Sequence, residues 1–248
     1  MDATASSNCD RACDRREVSS GPCLENPWIH ELDRSEAGAA SQGTRRIESS
    51  ILEGCSLARY KKNAARQQAW IFFQDESGFS QQPSVRTTWA PRGKTPILRP
   101  RGNHWSRVSA SAALGFRWDG KAARLCGRTK PDSYNAVSLI QFLKQLKRFV
   151  GGKKVILIWD HLPAHHSTLM KEFLRDQYAW LQIEWLPGYA PDLNPTEGVW
   201  ANIKGREMAN LCPNALDEAT NSFRRGLRRL SHTLRLPFSF LHHAGLFF

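Results

Sequence analysis

The clearest signal along the chain is a set of short, unbroken apolar runs between stretches of mixed polarity. AWIFFQDESGF, from Ala69, opens on aromatic and aliphatic side chains and turns polar at Gln74. Trp70 to Gln74 is therefore expected to form a buried strand closed by an acidic pair, Asp75 and Glu76. RVSASAALGFR (107–117) alternates well enough for a second strand, and the WDGK turn leading into Ala122 to Cys126 predicts a hairpin. These make three antiparallel strands. YNAVSLIQFLKQLKRFV (134–150) returns apolar residues at helical spacing, with Val137, Ile140, Leu143, Leu146 and Val150 on one face. After the Gly151–Gly152 stop, KKVILIWD reads as another buried strand ending at Asp160. Ser167 is the expected N-cap of a helix to Tyr178, LQIEWL (181–186) is a short strand, and helices are expected from Pro195 to about Asn210 and from Ala215 to Arg229. A basic stretch, LARYKKNAARQQ (57–68), suits a short helix ahead of the first strand. The order strand, strand, strand, helix, strand, helix, strand, helix predicts an α/β fold.

Composition narrows the class. At 248 residues, 41% hydrophobic and 23% charged, the chain can bury one sizeable core and has residues to spare. Residues 1–56 are rich in Ser, Ala, Gly, Asp and Arg without periodic apolar positions, so a disordered or loosely packed leader is expected there, with the folded domain over 57–248. Lys and Arg number 35 against 23 Asp and Glu, a formal charge of +12, which points to a polyanion as partner. No apolar run reaches the roughly 18 to 20 residues of a membrane helix, and the N-terminus lacks the apolar core of a signal peptide. An intracellular, cytoplasmic protein is the expectation. The six cysteines fall at 9, 13, 23, 55, 126 and 212 without a CxxC pair, which suits free thiols; Cys9, Cys13 and Cys23 with His30 match no standard zinc spacing.

Functional groups in an α/β sheet gather at the carboxyl ends of the strands. Asp75 and Asp160 each close a buried run, and parallel neighbouring strands would bring both to one edge. A third carboxylate can come from GYAPDLNPTEGVW (188–200). There Asn194 suits an N-cap, Pro195 the first helical position, and Glu197 stands three residues after the cap, where it can cap or hold a metal. Three converging carboxylates form a hard-oxygen site for Mg²⁺ or Mn²⁺, commonly as two ions in phosphoryl transfer. Side-chain alternation allows only one of Asp75 and Glu76 to face such a site, and Asp192 is the runner-up third carboxylate. A turn-rich segment after the first strand carries Arg86, Trp89, Arg92, Lys94, Arg99 and Arg101, suited to closing over DNA. Trp89 could stack on a splayed base, while Trp105, Trp118, Trp180, Trp185 and Trp200 are expected in the core. Arg224, Arg225, Arg228 and Arg229 fall on one side of a helix, as either a solvated face or a phosphate contact.

WIFFQDESGFSQQPSVRTTWAPRG, ILIWDHLPAHHS and WLPGYAPDLNPTEGVWANIK, in that order, closely resemble the catalytic core of bacterial insertion-sequence transposases of the mariner-like superfamily, the IS-six-thirty group. The resemblance runs from about Trp70 to the C-terminus. It implies a ribonuclease-H-like mixed sheet of about five strands flanked by helices, with the catalytic, metal-binding DDE triad at Asp75, Asp160 and Glu197. It further implies metal-dependent hydrolysis at the transposon end and attack of the freed 3′-OH on target DNA, typically at a TA dinucleotide. A homodimer working on paired ends, associated with the bacterial nucleoid when bound to DNA, belongs to the same expectation. Candidate DNA contacts are Arg86, Trp89, Arg92, Lys94, His165 and Lys204; His165 fits a family position and could instead steady the Asp160 loop. Two departures stand out. The helix-turn-helix domains that usually precede this core have no counterpart in the pattern of residues 1–56, and His161 stands where many members carry Asn. Alternatives are another ribonuclease-H-like nuclease, acting on RNA–DNA hybrids or Holliday junctions, or a non-catalytic DNA-binding remnant.

Overall fold

Strand β1 (Trp70–Ser80) is the axis of the molecule, and nearly every other element is positioned by what pairs with it or covers it. The computed structural model describes residues 58–99, 106–188, 191–233 and 235–247. It divides into two units, Met1–Arg59 and Tyr60–Phe248, and the sheet and its helices belong to the second. The leader over 1–56, the Cys9, Cys13, Cys23 and His30 group, Arg101 and Trp105 lie outside the described residues.

A helix over residues 58–67, α1, leads into β1. β2 (Arg107–Arg117) and β3 (Ala123–Pro131) follow, then helix α2 (Ala136–Val150), β4 (Val155–Trp159), helix α3 (Thr168–Gln177) and β5 (Leu181–Trp185). Helices α4 (Thr196–Arg206), α5 (Leu216–Ser231) and α6 (Leu236–His243) complete the chain. The five strands form one sheet in the order β3-β2-β1-β4-β5, antiparallel from β1 to β3 and parallel from β1 to β5. This mixed sheet flanked by helices is the ribonuclease-H-like architecture that the sequence led us to expect.

Alternation along β1 sorts the two layers. Trp70 and Phe72 join Val155, Leu157 and Trp159 on the face covered by α2 and α3. Phe73 and Phe79 point the other way: Phe73 meets Phe116, which packs on Phe238 of α6, and Phe79 stacks on Phe223 of α5 at 4.1 Å. Packing is tight where β1 crosses β2. A Cβ on Gly115 would lie 2.2 Å from the Phe72 ring, so the aromatic side chain occupies the space that any larger residue would fill.

Several elements differ from their expected limits. β1 continues past the acidic pair to Ser80 because β2 pairs with it along its whole length, so Asp75 sits within the strand rather than at its end. In α2 the buried stripe is Leu139, Ile140, Phe142, Leu143, Leu146 and Val150; Val137, expected on it, is 53% exposed in the first turn. Asn135 and Ser138 form a reciprocal capping box there, and Gly151 ends the helix in the left-handed conformation at φ 66°. α4 stops at Arg206 rather than near Asn210, which lies beyond the helix in the left-handed conformation at φ 55°. α6 was not expected at all, since its LPFSFL run lacks the charged residues that mark the polar face of a helix. Trp180 and Trp200 are buried as expected, whereas Trp118 and Trp185 are only partly covered. Among the described residues no helix is long and apolar enough to cross a membrane.

Candidate active site

The parallel register of β1 and β4 sets the site. Phe73 pairs with Ile158, and two residues further along each strand stand Asp75 and Asp160, so the two aspartates are level on neighbouring strands. β4 ends at Trp159, which leaves Asp160 at the strand's carboxyl edge. Two buried side chains tie the start of α4 to β1 backbone: Thr196 Oγ1 donates to the Phe73 carbonyl at 2.8 Å, and Asn194 Nδ2 to the Gln74 carbonyl at 3.4 Å. The start of α4 is thereby seated over β1 beside Asp75, and Glu197 stands in its first turn. On its other side α4 presses against α6. A Cβ on Gly198 would come within 2.7 Å of the Phe240 ring.

Asp75, Asp160 and Glu197 line one cavity of about 220 Å³, together with His161, Leu186, Asn194 and the Pro187–Gly188 and Pro191 backbone. Asp192, the alternative third carboxylate, is exposed on the Pro191–Leu193 turn and does not line it. The capping role weighed for Glu197 is not realised. Pro195, not Asn194, is the N-cap residue and makes no side-chain cap; Asn194 Oδ1 instead accepts from the Thr196 N–H at 3.1 Å. Asn194 thus serves both ends at once, its Oδ1 holding an amide of the helix start while its Nδ2 reaches β1, and the exposed Glu197 carboxylate lines the cavity.

The two aspartates differ electrostatically. Burial pushes the Asp75 carboxyl up to about 7; the 2.7 Å hydrogen bond from Trp200 Nε1 to its Oδ2 opposes the shift, and the charges of Glu197 and Glu76 add to it. Burial acts on Asp160 as well, but His165 outweighs it and holds that carboxyl below its ordinary range. His165 is 1% exposed and stacks on Trp159 at 3.8 Å. Its Nδ1 lies 2.7 Å from Asp160 Oδ1, and its Nε2 lies 3.7 Å from Glu76 Oε1. Burial disfavours the imidazolium, yet hydrogen bonding and charge from Asp160 and Glu76 raise it to about 9. Glu76, on the opposite face of β1 from Asp75, thus acts through His165 on the edge that Asp160 occupies. The DNA contact expected of His165 is replaced by this internal one, because its ring is enclosed.

The remaining candidates lie elsewhere. Arg86, Trp89, Arg92 and Lys94 are exposed on the segment after β1, with Trp89 98% exposed, and none lines the cavity. That segment is pinned near its base, where Asn210 accepts from the Arg86 N–H at 2.8 Å and donates to its carbonyl at 2.9 Å. Lys204 Nζ donates to Ser77 Oγ at 2.8 Å, on the Asp75 face of β1. Trp200 and Thr196 are the functional neighbours not expected from the sequence, while Asn194, expected at the helix start beside Glu197, also reaches β1. Trp200 was within reach of inference, being three residues and so nearly one helical turn from Glu197.

The donor set is all carboxylate oxygen, the chemistry Mg²⁺ or Mn²⁺ takes. One oxygen each of Asp75 and Asp160 is already engaged, by Trp200 and His165. Among the described residues no three His, Cys, Asp or Glu groups stand close enough to hold one ion, so the three carboxylates share the cavity without converging on one point.

Residues 70–214, more than half of the chain and including all three carboxylates, match the family model described as DDE superfamily endonuclease. No curated protein matches. Among solved structures, the Mos1 transposase paired-end complex with left transposon end is 16% identical, with 98% of this chain and 71% of that one covered and a TM-score of 0.49. The catalytic domain of Mos1 mariner transposase is 15% identical, covering 86% and 100%, at a TM-score of 0.44. On the match of the family model, this chain belongs to the DDE superfamily endonucleases.

Proposed function

We propose that this chain is the catalytic part of a DNA transposase of the mariner-like insertion-sequence kind, with Asp75, Asp160 and Glu197 as its catalytic, metal-binding triad. The observation that carries the reading is the shared cavity in which β1, β4 and the first turn of α4 each contribute one carboxylate. Residues 57–248 would form the endonuclease domain and residues 1–56 its leader. A bound Mg²⁺ or Mn²⁺, as one or two ions, would polarise the scissile phosphate and the attacking oxygen.

The chain's own residues prepare that event. Asp75 and Asp160 present oxygens from fixed strand positions, while Glu197 supplies the third from a helix start anchored by Thr196 and Asn194. Trp200 fixes one Asp75 oxygen and leaves Oδ1 for a cation; His165 does the same for Asp160. In the first step water adds to phosphorus at the element's end, and the 3′-oxygen leaves as a hydroxyl. In the second that hydroxyl oxygen attacks a target phosphodiester, forming a new P–O bond and releasing the target's own 3′-oxygen. The exposed Arg86, Trp89, Arg92 and Lys94, with Lys204, would hold DNA along the cavity's approaches in a homodimer on paired ends.

Cleavage and joining of an end-labelled duplex in Mn²⁺ test the proposal. The wild-type chain should yield a 3′-OH product and join it to new DNA, while Asp75→Asn, Asp160→Asn and Glu197→Gln remain folded and yield none. Hydrolysis without joining would assign the chain to a simple nuclease instead, and DNA binding without cleavage in either metal would assign it to a non-catalytic remnant.

A further inference from the structure

Two register rows cross the antiparallel half of the sheet on the face that carries Asp75. One row is Asp75, Ala112 and Gly127; the next is Ser77, Ala110 and Thr129. Paired residues share a face, and strands are about 4.8 Å apart, so Thr129 stands about 10 Å from Ser77 at the sheet's edge. Each end of the second row holds a cation by a hydroxyl. Ser77 Oγ accepts from Lys204 Nζ at 2.8 Å, and Thr129 Oγ1 accepts from Arg224 Nε at 2.9 Å.

Arg224 comes from α5, which packs over β2 and β3. Of the four arginines clustered on this helix, Arg229 is consumed internally, paired with Glu207 at 2.6 Å and also donating to Asn202, while the exposed Arg225 donates to Ser222 of its own helix and does not line the cavity that Arg224 and Arg228 share. Arg224 and Arg228, one turn apart and both exposed, instead line an open cavity of about 430 Å³ with Gly127, Arg128, Thr129 and Leu227. No acidic residue lines it. Gly127 lets Leu227 pack closely on the strand, since a Cβ there would lie 3.1 Å from the Leu227 side-chain end. With Nε tied to Thr129, the Arg224 guanidinium keeps both terminal nitrogens for an outside acceptor.

We infer that Arg224 and Arg228, seated on the β3 edge, form a second docking site for duplex DNA that grips backbone phosphates and extends the DNA path across the sheet from the carboxylates. The site rests on the DNA-processing reading above. It contributes affinity and alignment, not chemistry, because its nearest sheet row is two strands from Asp75.

The experiment is anisotropy of a labelled duplex of arbitrary sequence with the full chain, in EDTA, over a salt series. Arg224→Gln/Arg228→Gln should flatten the slope of log affinity against log salt by about 1.8 and weaken binding about 60-fold at 0.1 M salt. Lys171→Gln/Arg175→Gln, which removes the same charge from α3 on the opposite side of the sheet, should bind as wild type. Arg224→Lys/Arg228→Lys should recover the slope. Wild-type slope and affinity in the glutamine pair, an equal loss in the α3 pair, or no recovery with lysine would each overturn the inference. So would a larger arginine-dependent loss on duplex RNA than on DNA. Since no metal is present, failure of the carboxylate chemistry would show only in cleavage and leave this binding result standing.

Discussion

Asp75 and Asp160 stand level on neighbouring parallel strands, yet their surroundings drive them in opposite directions. Asp75 faces the α4 side, where burial and two nearby glutamates push its carboxyl up to about 7. Asp160 meets an imidazolium held between it and Glu76, and its carboxyl is kept low. Residue type and register are the same; the neighbours differ. The pair therefore presents one carboxyl favoured in its charged form and one favoured in its neutral form, which the proposed cation would turn to the charged one.

The largest way to break this comparison is to remove charge from each position and follow both activity and stability. Asp75→Asn and Asp160→Asn should both take cleavage to background. Their metal-free stabilities should part at pH 8. An acid whose folded value is raised binds its proton more tightly when folded, so the wild-type fold loses stability between about pH 4 and 7, where Asp75 ionises in the unfolded chain but stays protonated in the folded one. Asp75→Asn escapes that loss and should be more stable than wild type by as much as a few kcal/mol. Asp160 carries the opposite sign: its contribution is present above the ordinary carboxylate range and is lost as pH falls through the lowered value, so Asp160→Asn should melt lower at pH 7. Thermal melts of both variants in EDTA check the sign. Equal shifts would mean that the two environments do not differ.

His165→Gln comes next in size. It leaves Asp160 and Glu76 without the buried imidazolium between them and should cost about 1 to 3 kcal/mol in denaturant melts. Smaller still is Thr196→Val, which removes the buried hydroxyl bond to Phe73 and should cost about 1 kcal/mol while lowering cleavage by loosening the start of α4. Glu197→Gln should leave stability unchanged, because the carboxylate is exposed and caps nothing, and should still abolish cleavage.

Much of this was legible from residue pattern. VILIW announces a strand buried on both faces, and Asp160 marks its end. Alternation through QDES is enough by itself to put Asp75 and Glu76 on opposite faces. What escaped the pattern depends on partners distant in sequence. β1 outruns its apolar stretch because β2 pairs with every residue of it. Asn194 looks like an N-cap by local chemistry, and its Oδ1 does take the Thr196 N–H, but local chemistry does not foretell that its Nδ2 also reaches the Gln74 carbonyl, 120 positions earlier. The enclosure of His165 likewise follows from contacts with residues of two strands, Trp159 of β4 and Glu76 of β1. Local spacing can nominate such residues, and only the register decides what they touch.

Binding of Mn²⁺ to the full chain at pH 8, followed by loss of the free-ion electron paramagnetic resonance signal, tests the central claim most directly because it needs no DNA. Wild type should bind, each of Asp75→Asn, Asp160→Asn and Glu197→Gln should bind more weakly, and the triple variant should not bind. A folded triple variant that takes up Mn²⁺ as wild type does would contradict the assignment of these three carboxylates to one metal site.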